Sequence, residues 1–204
     1  MSQIRWQDLP KATVVLIGVN VLFYAYLAAI KAPSSSWMMI EKGALYVPAI
    51  LENHEFYRLV TSMFMHFSFR HLFFNMLLLY FMGDILERRL GPVVFLFIYF
   101  TTGLFGNAAS LIYYASGQAN VVSAGASGAI FGLVGVVAYL VFRNRGYFQG
   151  ISSRQIILMI VFSLYSGITG SGVNNAAHVA GLLSGIVCGM VFCHGHYDRQ
   201  DAGS

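Results

Sequence analysis

The chain has 204 residues, of which 57% are hydrophobic and only 10% charged, and its mean hydropathy is +0.67. A soluble domain needs far more charge to cover its surface, so this composition describes an integral membrane protein. The net charge of +4 is a weak signal for nucleic acid, because Lys and Arg in a membrane chain mark orientation instead.

Six apolar segments follow one another, at about residues 12–30, 71–90, 93–114, 127–142, 155–169 and 174–193. Crossing the hydrocarbon takes roughly 20 residues, with a range of about 17–25. The first, third and sixth segments meet this outright, whereas the fourth and fifth are short. Arg5 and Lys11 precede the first segment as in a signal peptide, but its 19-residue apolar run is too long for a typical signal and reads as an uncleaved helix. The loop at 31–70 is the one sizeable extramembrane piece. Its Trp37, Met38, Met39, Ile40, Tyr57, Phe64, Phe67 and Phe69 are interleaved with Glu41, Lys42, Glu52, Glu55 and Arg58, a mixture that suggests short amphipathic segments in the outer interface.

The second loop (Arg88, Arg89) and the fourth (Arg143, Arg145, Arg154) hold the basic residues, while loops 115–124 and 169–173 hold none. The positive-inside rule therefore places both termini in the cytoplasm, so that segments two, four and six begin at the outer face. Cys188 and Cys193 lie late in one apolar stretch and read as small buried hydrophobes, with no disulfide framework or metal spacing. There is no internal repeat, low-complexity tract or second domain.

Polar side chains inside such segments are costly and face a bundle interior or a wet cavity. His71 and Asn75 lie four residues apart, on one face of segment two and near its outer end. His178 lies about one turn into segment six. Ser127 opens segment four within AGASGAIFG (124–132). From Ser127 to Phe142 is 16 residues, or about 24 Å of helix. In a core about 30 Å thick, a helix anchored inside by Arg143 starts several Å below the outer surface. All four polar groups thus fall on one side at similar depth.

Segment six carries Ala177, Gly181, Gly185 and Gly189 at every fourth position, and segment four carries Gly128 and Gly132 at the same spacing. Stripes of small residues let membrane helices approach closely. If the two face each other, Ser127 and His178 meet at the outer end. Each feature also has a plainer reading: a Gly/Ser cluster packs helices, and a terminal His sits at the interface or is hydrogen-bonded internally. His66 and His71 as metal ligands lack both an HExxH pattern and a carboxylate on their face. His194 and His196 read as solvated tail residues. The GxSxG elbow is absent, since glycine follows Ser127 directly.

The stretches YRLVTSMFMHFSFRHLFFNML, GDILERRLG, GASGAIFG and AHVAGLLSG, in this order over Gly43 to Gly189, resemble the rhomboid intramembrane serine proteases. The resemblance implies an all-α, six-transmembrane-helix bundle with a long interfacial first loop. It implies Ser127 as nucleophile and His178 as general base, with His71 and Asn75 lining the oxyanion site. Arg58 and Glu87 match structural positions. Tyr57 stands where many members have Trp, and Phe131 where some have Tyr; its ring could support the His178 imidazole.

The chemistry is sound on its own terms. A serine at a helix start receives the positive end of the dipole, and neutral His178 can accept its proton and return it to a leaving amine. A buried third-member carboxylate would be expensive there, so a dyad is economical. Gly125, Ala126 and Gly128 crowd the nucleophile with backbone, which favours small residues at a cleavage site. The expected activity is endoproteolysis of transmembrane segments near the outer face, with lipid and membrane-helix substrates as partners and no cofactor, metal or nucleic acid. The alternative is a silent relative that binds membrane helices as a chaperone or scaffold, although such a relative would lack the serine or histidine. A transporter would carry charge deep in several helices, whereas here only Asp84 and Glu87 lie near an inner end. A single membrane domain over 1–204 is expected, with a core at about 43–190 and short cytoplasmic tails at 1–11 and 194–204. Its size suggests a bacterial inner membrane. The sequence carries no signal for oligomeric state.

Overall fold

The structure, a computed structural model, describes residues 9–117, 119–169 and 174–193. Arg5, the 170–173 part of the fifth loop, and the tail with His194 and His196 lie outside the described residues. Six long helices dominate: α1 (Lys11–Ala29), α2 (Phe69–Leu90), α3 (Pro92–Ala115), α4 (Ser127–Arg143), α5 (Ser153–Thr169) and α6 (Asn175–Phe192). Their ends fall within two residues of the apolar segments. Of these, α1, α2, α3 and α6 are long and apolar enough to cross a membrane, while α4 and α5 are shorter.

Helix α4 is the axis of the bundle. Twelve of its 17 residues are buried, and it packs against α2, α3 and α6, with α5 touching it more lightly. A helix apolar on every side belongs in an interior. Its contact with α6 is backbone on backbone. A Cβ added at Gly181 would collide with the Gly128 carbonyl, and one at Gly185 with the Gly132 carbonyl. A Cβ at Gly135 would meet the Leu182 carbonyl in turn. On the third side, a Cβ at Gly106 of α3 would lie 3.0 Å from the Ala177 carbonyl oxygen. Dispersion and close packing, rather than expulsion of water, hold helices together in lipid, and these glycines maximise both.

Helix α1 is tied on by a polar device. Pro10 at its start offers no side-chain cap. Instead Glu87 of α2 accepts from Ala12 N at 2.9 Å, and from Thr13 N and Thr13 Oγ1 at 2.8 Å each. The carboxylate thus satisfies first-turn amides that the helix leaves unpaired and sits at the positive end of its dipole. Gly83, one turn earlier on α2, makes room for the Thr13 side chain.

The 30–68 connection carries short helices at Ser36–Glu41, Val47–Leu51 and Arg58–Thr61, and strand β1 (Leu45–Tyr46). Arg58 is its hub. The guanidinium is buried, donates to the Ile40 and Ala44 carbonyls, and pairs with Glu55. Strand β1 pairs antiparallel with β2 (Val122–Ser123), which joins this connection to the residues leading into α4. Between α4 and α5, strands β3 (Tyr147–Phe148) and β4 (Ile151–Ser152) form a hairpin. Its two-residue turn, Gln149 and Gly150, has φ of 49° and 81°, as a tight hairpin requires.

Overpacking the α4–α6 contact tests this architecture. Gly185→Leu is expected to destabilise the protein by about 1–3 kcal/mol or more, because rigid backbone must move. Gly18→Ala, where nothing lies within 4 Å of the added carbon, is expected to be neutral or to stabilise by up to ~1 kcal/mol. Thermal unfolding in detergent measures both; equal melting temperatures for the two variants would contradict the packing described.

Candidate active site

Ser127 is the first residue of α4, and the first helical hydrogen bond runs from Ile130 N to Ala126 O. The amides of Ser127, Gly128 and Ala129 therefore precede the ladder, at the positive pole of the helix. One turn into α6, His178 Nε2 lies 2.9 Å from Ser127 Oγ. The glycine contacts between α4 and α6 are what bring these two turns together. A hydroxyl and an imidazole nitrogen at this distance are within reach of direct proton transfer.

The imidazole is held by stacking. Phe131, one turn after Ser127, lies parallel to it, with ring centroids 4.2 Å apart and an interplanar angle of 3°. Only 4% of His178 is exposed, and its Nδ1 has no hydrogen-bond partner among the described residues. No carboxylate orients this ring there; the aromatic face does.

Gly125 shapes the approach. Its φ of +141° suits glycine alone. A Cβ there would stand 2.9 Å from His71 Cε1, so the glycine lets that imidazole lie against the loop. His71 is half-buried, and Asn75, one turn further along α2, is 8% exposed with its Nδ2 unpartnered. A buried amide donor left unpaired is costly, and such groups mark places where a ligand is met. Arg58 and Glu87 lie away from this cluster, in the structural ties described above.

Several contributors were not singled out from sequence. The Ser62 carbonyl accepts from Gly125 N at 2.9 Å, and Asn107 of α3 donates to Ser62 Oγ at 3.0 Å and to the Leu59 carbonyl at 2.8 Å. Asn174 caps α6 and reaches two serines. His66, weighed only as a metal ligand, is fully buried and packs edge-on against His71 with centroids 5.0 Å apart. Asn at a helix start is the one sequence signal that could have drawn attention to Asn174. Among the described residues no group of three or more His, Cys, Asp or Glu could hold a metal ion.

This arrangement, a serine at a glycine-flanked helix start against a histidine on a glycine-striped helix, sits in a bundle of apolar, membrane-spanning helices, and comparison with known proteins identifies the family. The Rhomboid domain model matches residues 53–195, and the chain belongs to the rhomboid family. It is 32% identical over 176 residues to the rhomboid protease GluP of Bacillus subtilis (strain 168), covering 86% of this chain and 34% of that protein. It is 32% identical over 173 residues to RHOMBOID-like protein 1 of Arabidopsis thaliana, covering 82% and 43%. It is also 30% identical over 132 residues to Inactive RHOMBOID-like protein 8 of the same plant, covering 65% and 36%. The chain thus spans about a third to two fifths of these relatives. It is an integral membrane protein of a family that holds proteases and inactive members.

His66 carries a pH signature. Burial and then the neighbouring His71 lower its imidazole from the usual 6.5 to about 3. The folded state therefore binds this proton less readily than the unfolded chain. Its stability is complete above the unfolded value and declines as pH falls from 6.5 towards 3, by at most ~1.4 kcal/mol per pH unit. His66→Phe is expected to flatten the decline in melting temperature between about pH 6 and about pH 4. An equally steep decline in the variant would contradict a buried neutral His66.

Proposed function

We propose that this protein is an intramembrane serine endopeptidase that cleaves transmembrane segments of other membrane proteins by a Ser127–His178 dyad. The observation that carries the reading is the 2.9 Å approach of Ser127 Oγ to His178 Nε2, with the ring stacked on Phe131. In this reading all six long helices cross the bilayer, both termini are cytoplasmic, and the site opens near the outer face. The basic residues of the second and fourth loops support that orientation.

The steps follow from the groups present. Nε2 accepts the Ser127 proton as Oγ attacks the scissile carbonyl, which requires the Nδ1–H tautomer. The oxyanion then meets the Ser127 amide, the dipole of α4, and the side chains of Asn75 and His71. Collapse of this intermediate breaks the C–N bond, and the imidazolium gives its proton to the departing amine, leaving an acyl-enzyme on Ser127. Water then attacks the ester with Nε2 again as base, and the proton returns to Oγ. An intact substrate helix hides its carbonyls in i to i−4 hydrogen bonds, so it must unwind locally before it can be attacked.

A second reading has a specific observation behind it, the inactive Arabidopsis relative at 30% identity. In that case the chain would bind membrane helices without cutting them.

Cleavage of a model single-span substrate separates the two. Ser127→Ala and His178→Ala are each expected to abolish cleavage in folded protein. The double variant should be no worse than either single, because the pair acts as a unit. Substantial cleavage by purified Ser127→Ala would remove the serine from the mechanism. Asn75→Ala is expected to lower kcat by about 10²–10³ with little change in KM. A raised KM at unchanged kcat would make Asn75 a substrate-holding residue instead.

A further inference from the structure

One half-buried polar junction joins α6 to α3 and to the strand that leads into α4, and it lies outside the dyad itself. Asn174 precedes α6 by one residue, and its backbone carbonyl accepts from His178 N at 3.1 Å. Its side chain makes three hydrogen bonds, in three directions. Oδ1 accepts from Ala177 N at 3.0 Å and caps α6. One Nδ2 hydrogen goes to Ser110 Oγ of α3 at 2.7 Å, and the other to Ser123 Oγ of β2 at 2.9 Å.

The amide's orientation is forced. Ser110 is fully buried and its hydroxyl donates to the Gly106 carbonyl at 2.9 Å. Its oxygen therefore presents a lone pair to Asn174, and only the NH2 end of the amide suits that lone pair. The carbonyl end is then turned towards the α6 amides. Ser123, on the other arm, is four residues before Ser127.

We propose that Asn174 is a positioning residue for the proposed reaction: it clasps the His178-bearing turn of α6 to α3 and to the loop that delivers Ser127, and so sets the serine–histidine distance. The inference rests on the reading of Ser127 and His178 as nucleophile and base. Glycine contacts alone fix how closely α4 and α6 pack, yet they leave each helix free to slide or rotate slightly. A directional bond to each neighbour removes that freedom, and misplacement of about 1 Å can cost on the order of 10²-fold in rate.

A plain helix cap is the competing account, and it is separable. Asp and Ser cap helices about as well as Asn, but neither supplies two donors in the Asn174 geometry. The experiment measures kcat and KM for a model transmembrane substrate with wild type, Asn174→Asp, Asn174→Ser, Ser123→Ala and the Asn174→Ser/Ser123→Ala double variant, each checked for cooperative thermal unfolding. We expect both Asn174 variants to lose about tenfold or more in kcat with KM within about twofold of wild type. Ser123→Ala should show a smaller loss. The double variant should match Asn174→Ser alone, because both substitutions break the same arm. Wild-type kcat in both Asn174 variants overturns the clasp, and wild-type kcat in Ser123→Ala overturns its link to the nucleophile loop. A wild type that does not cleave overturns the protease reading itself. That result is distinct from an active wild type with silent Asn174 variants, which overturns the clasp alone.

Discussion

The rest of the molecule depends on the contact of α4 with α6, where glycine faces carbonyl. At Gly181 against Gly128 and Gly185 against Gly132, no side chain separates the two backbones. Only at this separation can a serine on the first turn of one helix reach a histidine on the first turn of the other. Any larger residue would widen the seam, and the 2.9 Å approach of Oγ to Nε2 would be lost. Packing and site geometry are therefore one constraint here. Lipid offers no hydrophobic drive between helices, so the fold must use this kind of close fit.

Around that seam the polar groups divide by task. Glu87 and Arg58 satisfy backbone: the carboxylate closes the start of α1, and the guanidinium gathers the carbonyls of the first connection. Asn107 ties α3 to Ser62, whose carbonyl holds Gly125, and Asn174 ties α6 to Ser123. Asn75 differs in leaving its amide donor unpaired in the interior. A buried donor left open one turn along α2 from His71 is suited to an acceptor that arrives. In the proposed reaction that is the oxyanion.

Much of this was legible in the sequence, and the reasons are physical. Helix positions follow from apolar runs bounded by Ser, Gly, Pro and Arg, and their ends were read to within two residues. The small-residue stripes show which faces can approach, because a period of four marks one side of a helix. Hydrophobicity gave no hint that α4 is buried while α5 is more exposed, since lipid-facing and core-facing residues are equally apolar. The Asn107 and Asn174 ties were likewise hidden. Asn107 reaches back 45 residues to Ser62, and Asn174 reaches 64 to Ser110 and 51 to Ser123; no local pattern announces such pairs. The place of His66 was hidden too: the sequence set it aside as a metal ligand and offered nothing else, whereas in the fold its ring lies edge-on against His71.

The central claim is that one serine, among the many hydroxyls of this chain, is activated by one histidine. Treatment of the detergent-solubilised protein with a fluorophosphonate, followed by peptide mapping of the adduct by mass spectrometry, tests it most directly. The account predicts a single phosphonyl adduct on Ser127 that disappears in His178→Ala. An adduct on another serine, or full labelling of Ser127 without the histidine, would contradict it.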